Sequence, residues 1–184
     1  EPHVGSFQWR SLQRRPTVEL EFVRCSHSSW KWFHPHHYLS ADLHRGARCF
    51  VGLVDGKPAA FAGVLPFPHP RRSDLASLSR LVVMPDFQGL GLGAGSFVET
   101  VAAIAKSNGK VLTTHPSHPA LIKTWAKSKL WEMTRGPCFG VQAGKTAAVR
   151  GLYLSHSRHR RVAHFMWSGP SFDNDAIARK LWQS

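Results

Sequence analysis

Acidic residues are scarce in this 184-residue sequence, which has 11 Asp and Glu against 24 Lys and Arg and a formal net charge of +13. That surplus argues against a polycationic substrate, because like charges repel. It favours an anionic partner such as nucleic acid, an anionic membrane surface or an acidic cofactor. The basic residues concentrate at positions 10–15, 69–72 and 158–161. We therefore expect DNA or RNA as a partner, with attraction of a cofactor as the alternative reason for the charge.

Cysteines and long apolar runs are also few. The three cysteines, Cys25, Cys49 and Cys138, are far apart and odd in number, which argues against a disulfide framework and favours a reducing compartment. The longest apolar run, residues 58–67, is about half of the roughly 18 residues that a membrane span needs. We predict a cytoplasmic protein without a membrane partner, and the oligomeric state stays open.

Hydrophobic periodicity predicts alternating strands and helices. Residues 48–54 and 58–65 flank Asp55-Gly56, a pair typical of a tight hairpin turn. Residues 78–83, 92–106 and 110–114 have the patterns of a strand, a helix and a strand, and such a crossover favours parallel pairing. We predict an α/β (α+β) fold with a mixed, mostly antiparallel twisted sheet and helices on both faces.

Weaker patterns complete the predicted organisation. They indicate strands at residues 17–23 and 161–167 and helices at residues 26–33, 120–128 and 173–182. Ser26 and Asp173 are candidate N-caps of the first and last of these helices. We predict a basic N-terminal arm over residues 1–16 and one domain over residues 17–184.

A glycine-rich turn follows the predicted strand that ends at Val83-Met84-Pro85 and reads Gln88-Gly89-Leu90-Gly91-Leu92-Gly93. A strand, a glycine turn and a helix create a nest of backbone N–H groups where a phosphate binds. A dinucleotide site would need an acidic residue about 20 positions later, and residues 110–114 contain none. A Walker loop would need Gly-Lys-Ser/Thr, which is also missing.

These residues resemble the signature of the GNAT superfamily of acyl-CoA-dependent N-acyltransferases, a strand ending in V-x-P followed by Q/R-x-x-G-x-G/A at the start of a helix. The resemblance implies a GNAT-like fold and acetyl-CoA, or another acyl-CoA, as cofactor. It implies that backbone N–H groups of the turn bind the pyrophosphate and that the strand edge pairs with the pantetheine arm. The implied cofactor-binding residues are Leu81, Val82, Val83, Gln88, Gly89, Leu90, Gly91, Leu92, Gly93 and Ala94.

The family often supplies a tyrosine as general acid in the helix after the fifth strand. Trp125 occupies the matching position, and an indole does not donate a proton to a departing thiolate in the same way. Ser117 and His118 precede that helix and are the candidate replacements, since a histidine titrates near neutral pH. Carboxylate bases are few, so the amine proton has ordered water as an alternative acceptor.

The segment His34-Pro35-His36-His37-Tyr38 lies where this fold usually forms the substrate wall. It resembles the corresponding segment of phage Mom-type DNA-modification proteins, which share the acyltransferase fold and act on adenine in DNA. His37 and Tyr38 are therefore candidate catalytic residues. Three histidines also suggest metal binding, but no carboxylate or cysteine stands at a fixed spacing, so we predict no metal.

Together these features predict a GNAT-type acyltransferase, in a bacterial or phage-infected cell, that acylates an amine on a nucleic-acid base or a nucleic-acid-associated acceptor. Two alternatives remain open. One is a GNAT enzyme for a small-molecule amine. The other is a catalytically inactive GNAT-fold module that binds nucleic acid, which the tryptophan at position 125 favours.

Overall fold

The computed structural model describes residues 18–37, 42–139 and 160–183. The predicted arm therefore lies outside the described residues. The described strands are β1 (Glu21–Cys25), β2 (Arg48–Val54), β3 (Lys57–Pro66), β4 (Leu75–Val83), β5 (Val111–Thr114), β6 (Trp131–Phe139) and β7 (Arg161–Trp167). The described helices are α1 (Trp30–Phe33), α2 (Ser96–Ser107), α3 (Pro119–Lys127) and α4 (Asp175–Gln183).

The described strands form one sheet in the order β1-β2-β3-β4-β5-β7-β6. Only the β4–β5 pair is parallel, because α2 carries the chain across between them. The β2–β3 hairpin turns at Asp55 and Gly56, both with positive φ, as the Asp-Gly pair predicts. The predicted mixed, mostly antiparallel sheet is thus confirmed.

Alternating side chains give the sheet two apolar faces. On one face Phe50, Ala60 and Ala62 pack with residues of α2 and α4 in the larger core cluster. On the other face Val51 and Phe61 pack with Trp30 and Phe33 of α1 in a smaller cluster. Helices therefore cover both faces, as predicted.

Strand β4 contains one extra residue relative to β3. Gly63 pairs with Arg80 while the next residue, Val64, pairs with Leu78, so Ser79 is left over as a β-bulge. The Ser79 hydroxyl donates a hydrogen bond to the Gly63 carbonyl, with an Oγ–O distance of 3.0 Å. A bulge bends the strand and re-aims the residues that follow it.

Several element boundaries differ from the sequence prediction. Helix α2 begins at Ser96 rather than residue 92, because Gly95 has φ −136° and ψ −118°, outside the helical region. The last helix is capped by Asn174 instead of Asp173: the Asn174 Oδ1 accepts the Ile177 backbone N–H at 3.0 Å. The side chain of Ser26 makes no capping hydrogen bond.

All three cysteines are free thiols, although Cys25 and Cys49 face each other across β1 and β2. Among the described residues, no helix has the length and apolar character needed to cross a bilayer.

Candidate active site

A crevice opens where β4 and β5 part. The two strands pair only from Leu75–Val111 to Leu78–Thr114. β5 ends at Thr114, whereas β4 continues to Val83. The second half of β4 therefore pairs with β3 along one edge, whereas its other edge has no pairing with β5.

Backbone alternation decides which groups of β4 face this crevice. The Met84 N–H donates to the Ala59 carbonyl at 2.9 Å, which makes Met84 and Ala59 a hydrogen-bonded antiparallel pair. Such pairs alternate along the ladder, so Val82 also bonds toward β3, where its partner is Phe61. The N–H and C=O groups of Leu81 and Val83 then point toward the crevice.

The glycine turn lies at the end of this strand edge. Gly89 and Gly91 have φ of +85° and +89°, which residues with a Cβ rarely adopt. A Cβ at Gly93 would lie 2.9 Å from Cγ2 of Val83, and one at Gly95 would lie 2.9 Å from the Gly91 carbonyl oxygen. Only glycine fits these four positions without strain or a clash.

The other predicted residues of the turn anchor it. Leu92 is buried in the larger core, and Leu90 packs against that core from the turn. The Gln88 side-chain amide donates to the Val83 carbonyl at 3.2 Å, which ties the turn to the strand edge. Gly95 provides no side-chain cap for α2, so the first N–H groups of the helix are available to an anion.

The crevice brings together residues that are far apart in the sequence. It has a volume of about 100 Å³. Of the predicted catalytic residues, His37, Ser117 and His118 all line it, while Tyr38 lies outside the described residues. The other lining residues come from β4, from the end of β5 and from α3: Leu78, Ser79, Arg80, Leu81, Thr114, His115, Pro116, Leu121 and Trp125.

A histidine pair that the sequence analysis did not single out forms one wall of the crevice. The rings of His115 and His164 meet edge to face with centroids 4.5 Å apart, and Phe67 packs on His115 with a centroid distance of 5.8 Å. Burial, with the neighbouring His164 as a smaller cause, lowers the pKa of His115 to about 4. Burial also lowers the pKa of His164, with the positive charge of Arg135 as a second cause.

The depressed pKa of His115 predicts a loss of stability in acid. Between its ordinary value of 6.5 and about 4, the unfolded chain binds a proton that the folded chain does not. The free energy of unfolding should therefore fall as the pH drops through this window. We expect His115→Gln to reduce that fall by on the order of 2 kcal/mol.

Urea unfolding at about pH 7 and about pH 4.5 measures this difference. His164→Gln is the matched variant. It should reduce the fall by less, because it removes only the smaller cause of the His115 shift together with the smaller shift of His164 itself. Equal falls in the wild type and in His115→Gln would show that this histidine is not held neutral by the fold.

Comparisons with known proteins agree with this geometry. The model of the acetyltransferase (GNAT) family matches residues 8–130, which is well over half of the chain. The chain belongs to the GNAT family. It is an acyl-CoA-dependent N-acyltransferase, and acetyl-CoA is the family's cofactor. A search of curated protein sequences finds no significant match.

Solved GNAT structures share the fold at low sequence identity. The Escherichia coli ribosomal-protein-S18-alanine N-acetyltransferase is 15% identical, covers 85% of this chain and 98% of its own, and has a TM-score of 0.57. The putative acetyltransferase YncA of Salmonella typhimurium, solved with acetyl-CoA, is 14% identical, covers 86% of this chain and 97% of its own, and has a TM-score of 0.55. The Vibrio cholerae spermidine/spermine N-acetyltransferase SpeG is 10% identical, covers 80% of this chain and 93% of its own, and has a TM-score of 0.55.

The residues of this GNAT chain fit an acyl-CoA. The positive φ of Gly89 and Gly91, the open space beside Gly89 and the uncapped start of α2 suit a pyrophosphate. The inward-facing groups of Leu81 and Val83 suit the amides of a pantetheine arm, as an added strand would. Acetyl-CoA supplies an acetyl group activated as a thioester. The sequence analysis included Val82, but its side chain is buried in the α1 cluster and its backbone pairs with β3.

Trp125, which the sequence analysis matched to the usual GNAT tyrosine, has a structural role in this chain. Its indole N–H donates to the Ala94 carbonyl at 2.9 Å. Its ring is 1% exposed and packs on Trp131 and Phe165 with centroid distances of 5.0 and 5.8 Å. The side chain therefore joins α3 to the glycine turn, and its one polar hydrogen is already used.

The histidine segment beside α1 is partly packed and partly exposed. The rings of His34 and His37 meet the edge or face of Trp30 at centroid distances of 5.7 and 5.5 Å. His36 is exposed, and His37 reaches the crevice. Within residues 18–37, 42–139 and 160–183, no three His, Cys, Asp or Glu side chains are grouped as a metal site would require.

Proposed function

We propose that this acyltransferase transfers the acetyl group to an amine carried by a nucleic acid or by a molecule bound to nucleic acid. The observation that carries the proposal is a basic, partly apolar groove that adjoins the crevice. The groove has a volume of about 510 Å³ and shares Ser117 with the crevice. A polyanion lying in the groove would present its amine directly to the crevice.

The chemistry of the groove suits a nucleic acid. Lys123, Arg160 and Arg161 line it together with Met133 and Pro137. Cations bind phosphates, and flat apolar surfaces accept bases. At its edge Phe139 is 58% exposed, and the Arg161 guanidinium lies 5.5 Å from its ring centroid. Such a ring is available to stack with a base.

We assign the proton transfers to the crevice residues. His118, with Ser117 beside it, supplies a proton to the departing sulfur, since Trp125 cannot. His37, which lines the crevice, orients the acceptor, and Tyr38 remains a candidate catalytic residue outside the described residues. Arg80, whose guanidinium donates to the carbonyls of Ser79 and Asp42 at 2.8 and 3.1 Å, keeps positive charge at the crevice and favours an acceptor that is anionic elsewhere.

Binding to an oligonucleotide at increasing salt tests the nucleic-acid partner. Each lost phosphate contact lowers the slope of log affinity against log salt by about one unit. The double variant Lys123→Gln/Arg161→Gln should therefore lower the slope by about two units. The matched control is Lys57→Gln/Arg179→Gln, which removes the same charge from exposed positions outside the groove.

Fluorescence anisotropy measures the affinities, and mass spectrometry of the oligonucleotide after incubation with acetyl-CoA detects acylation. Equal slopes for the two double variants would remove the groove from the binding surface. Acylation of free amines with no affinity for oligonucleotides at low salt would favour a small-molecule enzyme. Binding of oligonucleotides without affinity for acetyl-CoA would favour an inactive module.

A further inference from the structure

The crevice contains a guanidinium and three imidazoles but no carboxylate. Arg80, His37, His115 and His118 line it, and none of the described lining residues is Asp or Glu. An alkylamine is an ammonium ion at neutral pH, with an ordinary pKa of about 10. Such an ion would enter beside a guanidinium and would find no carboxylate to replace its water, so its binding is disfavoured.

We propose that the acceptor amine is uncharged at neutral pH, as an amino group on an aromatic ring is, and that His115 accepts the proton which this nitrogen loses. This inference rests on the proposed function and narrows its substrate class. The exocyclic amino group of a nucleobase belongs to this class, and so does a free arylamine. Lysine side chains and polyamines do not.

The position of His115 suits a proton acceptor. Its ring lines the crevice and is held between Phe67 and His164, so its orientation is fixed by packing. Burial keeps the imidazole neutral, because its pKa is about 4. A neutral imidazole has a free lone pair to receive a proton.

The low basicity of His115 selects the same class of acceptor. An arylamine nitrogen becomes strongly acidic once it has bonded to the acyl carbon, so a weak base suffices. A free alkylammonium has no lone pair and must lose a proton before its nitrogen can attack. With an ordinary pKa of about 10, it is roughly 10⁶-fold too weak an acid to give that proton to His115. The crevice charge and the histidine therefore point to the same substrate.

His115 and His118 account for both protons that move during the acetyl transfer. The amine lone pair forms the new N–C bond, and the C–S bond breaks with its electron pair remaining on sulfur. One amine proton passes to His115, and the sulfur receives one proton from His118. Both histidines then return to their starting states by exchange with solvent.

The groups that face His115 reinforce its neutral state. His164 of β7 contacts its ring, and Arg135 of β6 adds positive charge near His164. Arg80 of β4 and His118 before α3 line the same crevice. In the described structure none of these groups is negative. A positive charge on the His115–His164 pair is therefore disfavoured. A proton that His115 accepts should consequently be released again to solvent.

The experiment compares four acceptors at saturating acetyl-CoA by the release of free thiol. The probes are aniline, a single-stranded adenine- and cytosine-containing oligonucleotide, spermidine and a lysine peptide. We expect acylation of the aromatic amines, with kcat/KM that does not rise from about pH 6 to about pH 9, because the acceptor amine is already uncharged over this range. An alkylamine substrate would instead gain about tenfold per pH unit until its own pKa.

His115→Gln should lower kcat with the aromatic probe by about 10²-fold or more and leave KM unchanged. His69→Gln is the control at an exposed histidine outside the crevice and should match the wild type. Equal rates in both variants would overturn the role of His115. The wild-type pH profile tests the acceptor class even where His115→Gln fails to fold.

The acceptor results separate this inference from the proposed function. Acylation of the oligonucleotide supports both. Acylation of aniline alone supports an uncharged amine and overturns the nucleic-acid acceptor. Acylation of spermidine or the lysine peptide in preference to the aromatic probes overturns the inference, and acylation of the peptide only when oligonucleotide is bound would leave the proposed function standing. Absence of acylation with all four probes overturns both.

Discussion

Replacing Gly91 by valine should lower the affinity for acetyl-CoA by about 100-fold or more, a loss of roughly 3 kcal/mol. Gly91 has φ +89°, and a β-branched residue in that region is strongly strained. The turn would relieve the strain by rotating its peptide groups, and the N–H groups that we expect to bind the pyrophosphate would turn away. Isothermal titration calorimetry with acetyl-CoA measures the change.

The matched control for this prediction is Gly136→Val. Gly136 lies in β6, where an added Cβ would meet no atom within 4 Å, so the affinity should stay at the wild-type value. Thermal unfolding of both variants separates a local rearrangement from general instability. An affinity in Gly91→Val equal to that of the control would show that the pyrophosphate binds elsewhere.

Truncating Trp125 to alanine should destabilise the protein by about 3–5 kcal/mol, because a large buried ring leaves a cavity among Trp131, Phe165 and the glycine turn. Trp125→Phe keeps most of the ring and loses only the hydrogen bond to the Ala94 carbonyl, which costs about 1 kcal/mol. Both variants release the turn from α3. We therefore also expect weaker binding of acetyl-CoA in Trp125→Phe.

Chemical denaturation of these variants is compared with Trp32→Ala. Trp32 is 56% exposed, so its truncation should change the free energy of unfolding by about 0.5 kcal/mol or less. A destabilisation of Trp125→Ala similar to that of Trp32→Ala would contradict the structural role of Trp125. Acetyl-CoA affinity in Trp125→Phe equal to the wild type would show that the turn keeps its shape without this hydrogen bond.

The sequence was sufficient for the features that depend on local chemistry. The β2–β3 hairpin follows from apolar runs around Asp55-Gly56, and the glycine turn follows from the sterics of residues without a Cβ. The start of α2 was predicted four residues early. Helical periodicity extends back to Leu92, while the backbone of Gly95 lies outside the helical region.

The features that were missed depend on contacts between distant segments. His115 and His164 meet because Thr114 pairs with Phe165, one residue away from each, and no local pattern reveals that register. The low pKa of His115 follows from burial that this meeting creates. The role of Trp125 likewise required the contact between α3 and the turn, since the sequence alone shows only that a tyrosine is missing.

The bulge at Ser79 also changes the parity of β4. Before it, the even-numbered residues Ala76 and Leu78 face the larger core, whereas after it the odd-numbered Leu81 and Val83 do. Val82 consequently packs on the opposite face, with α1. The side chains of β4 therefore alternate in one phase before the bulge, where β4 pairs with β5, and in the opposite phase after it, where the strand edge faces the crevice. A deletion of Ser79 would leave Leu78 and Arg80 paired with consecutive residues of β3, so Leu81 and Val83 would keep their faces and the strand would lose only the bend of the bulge.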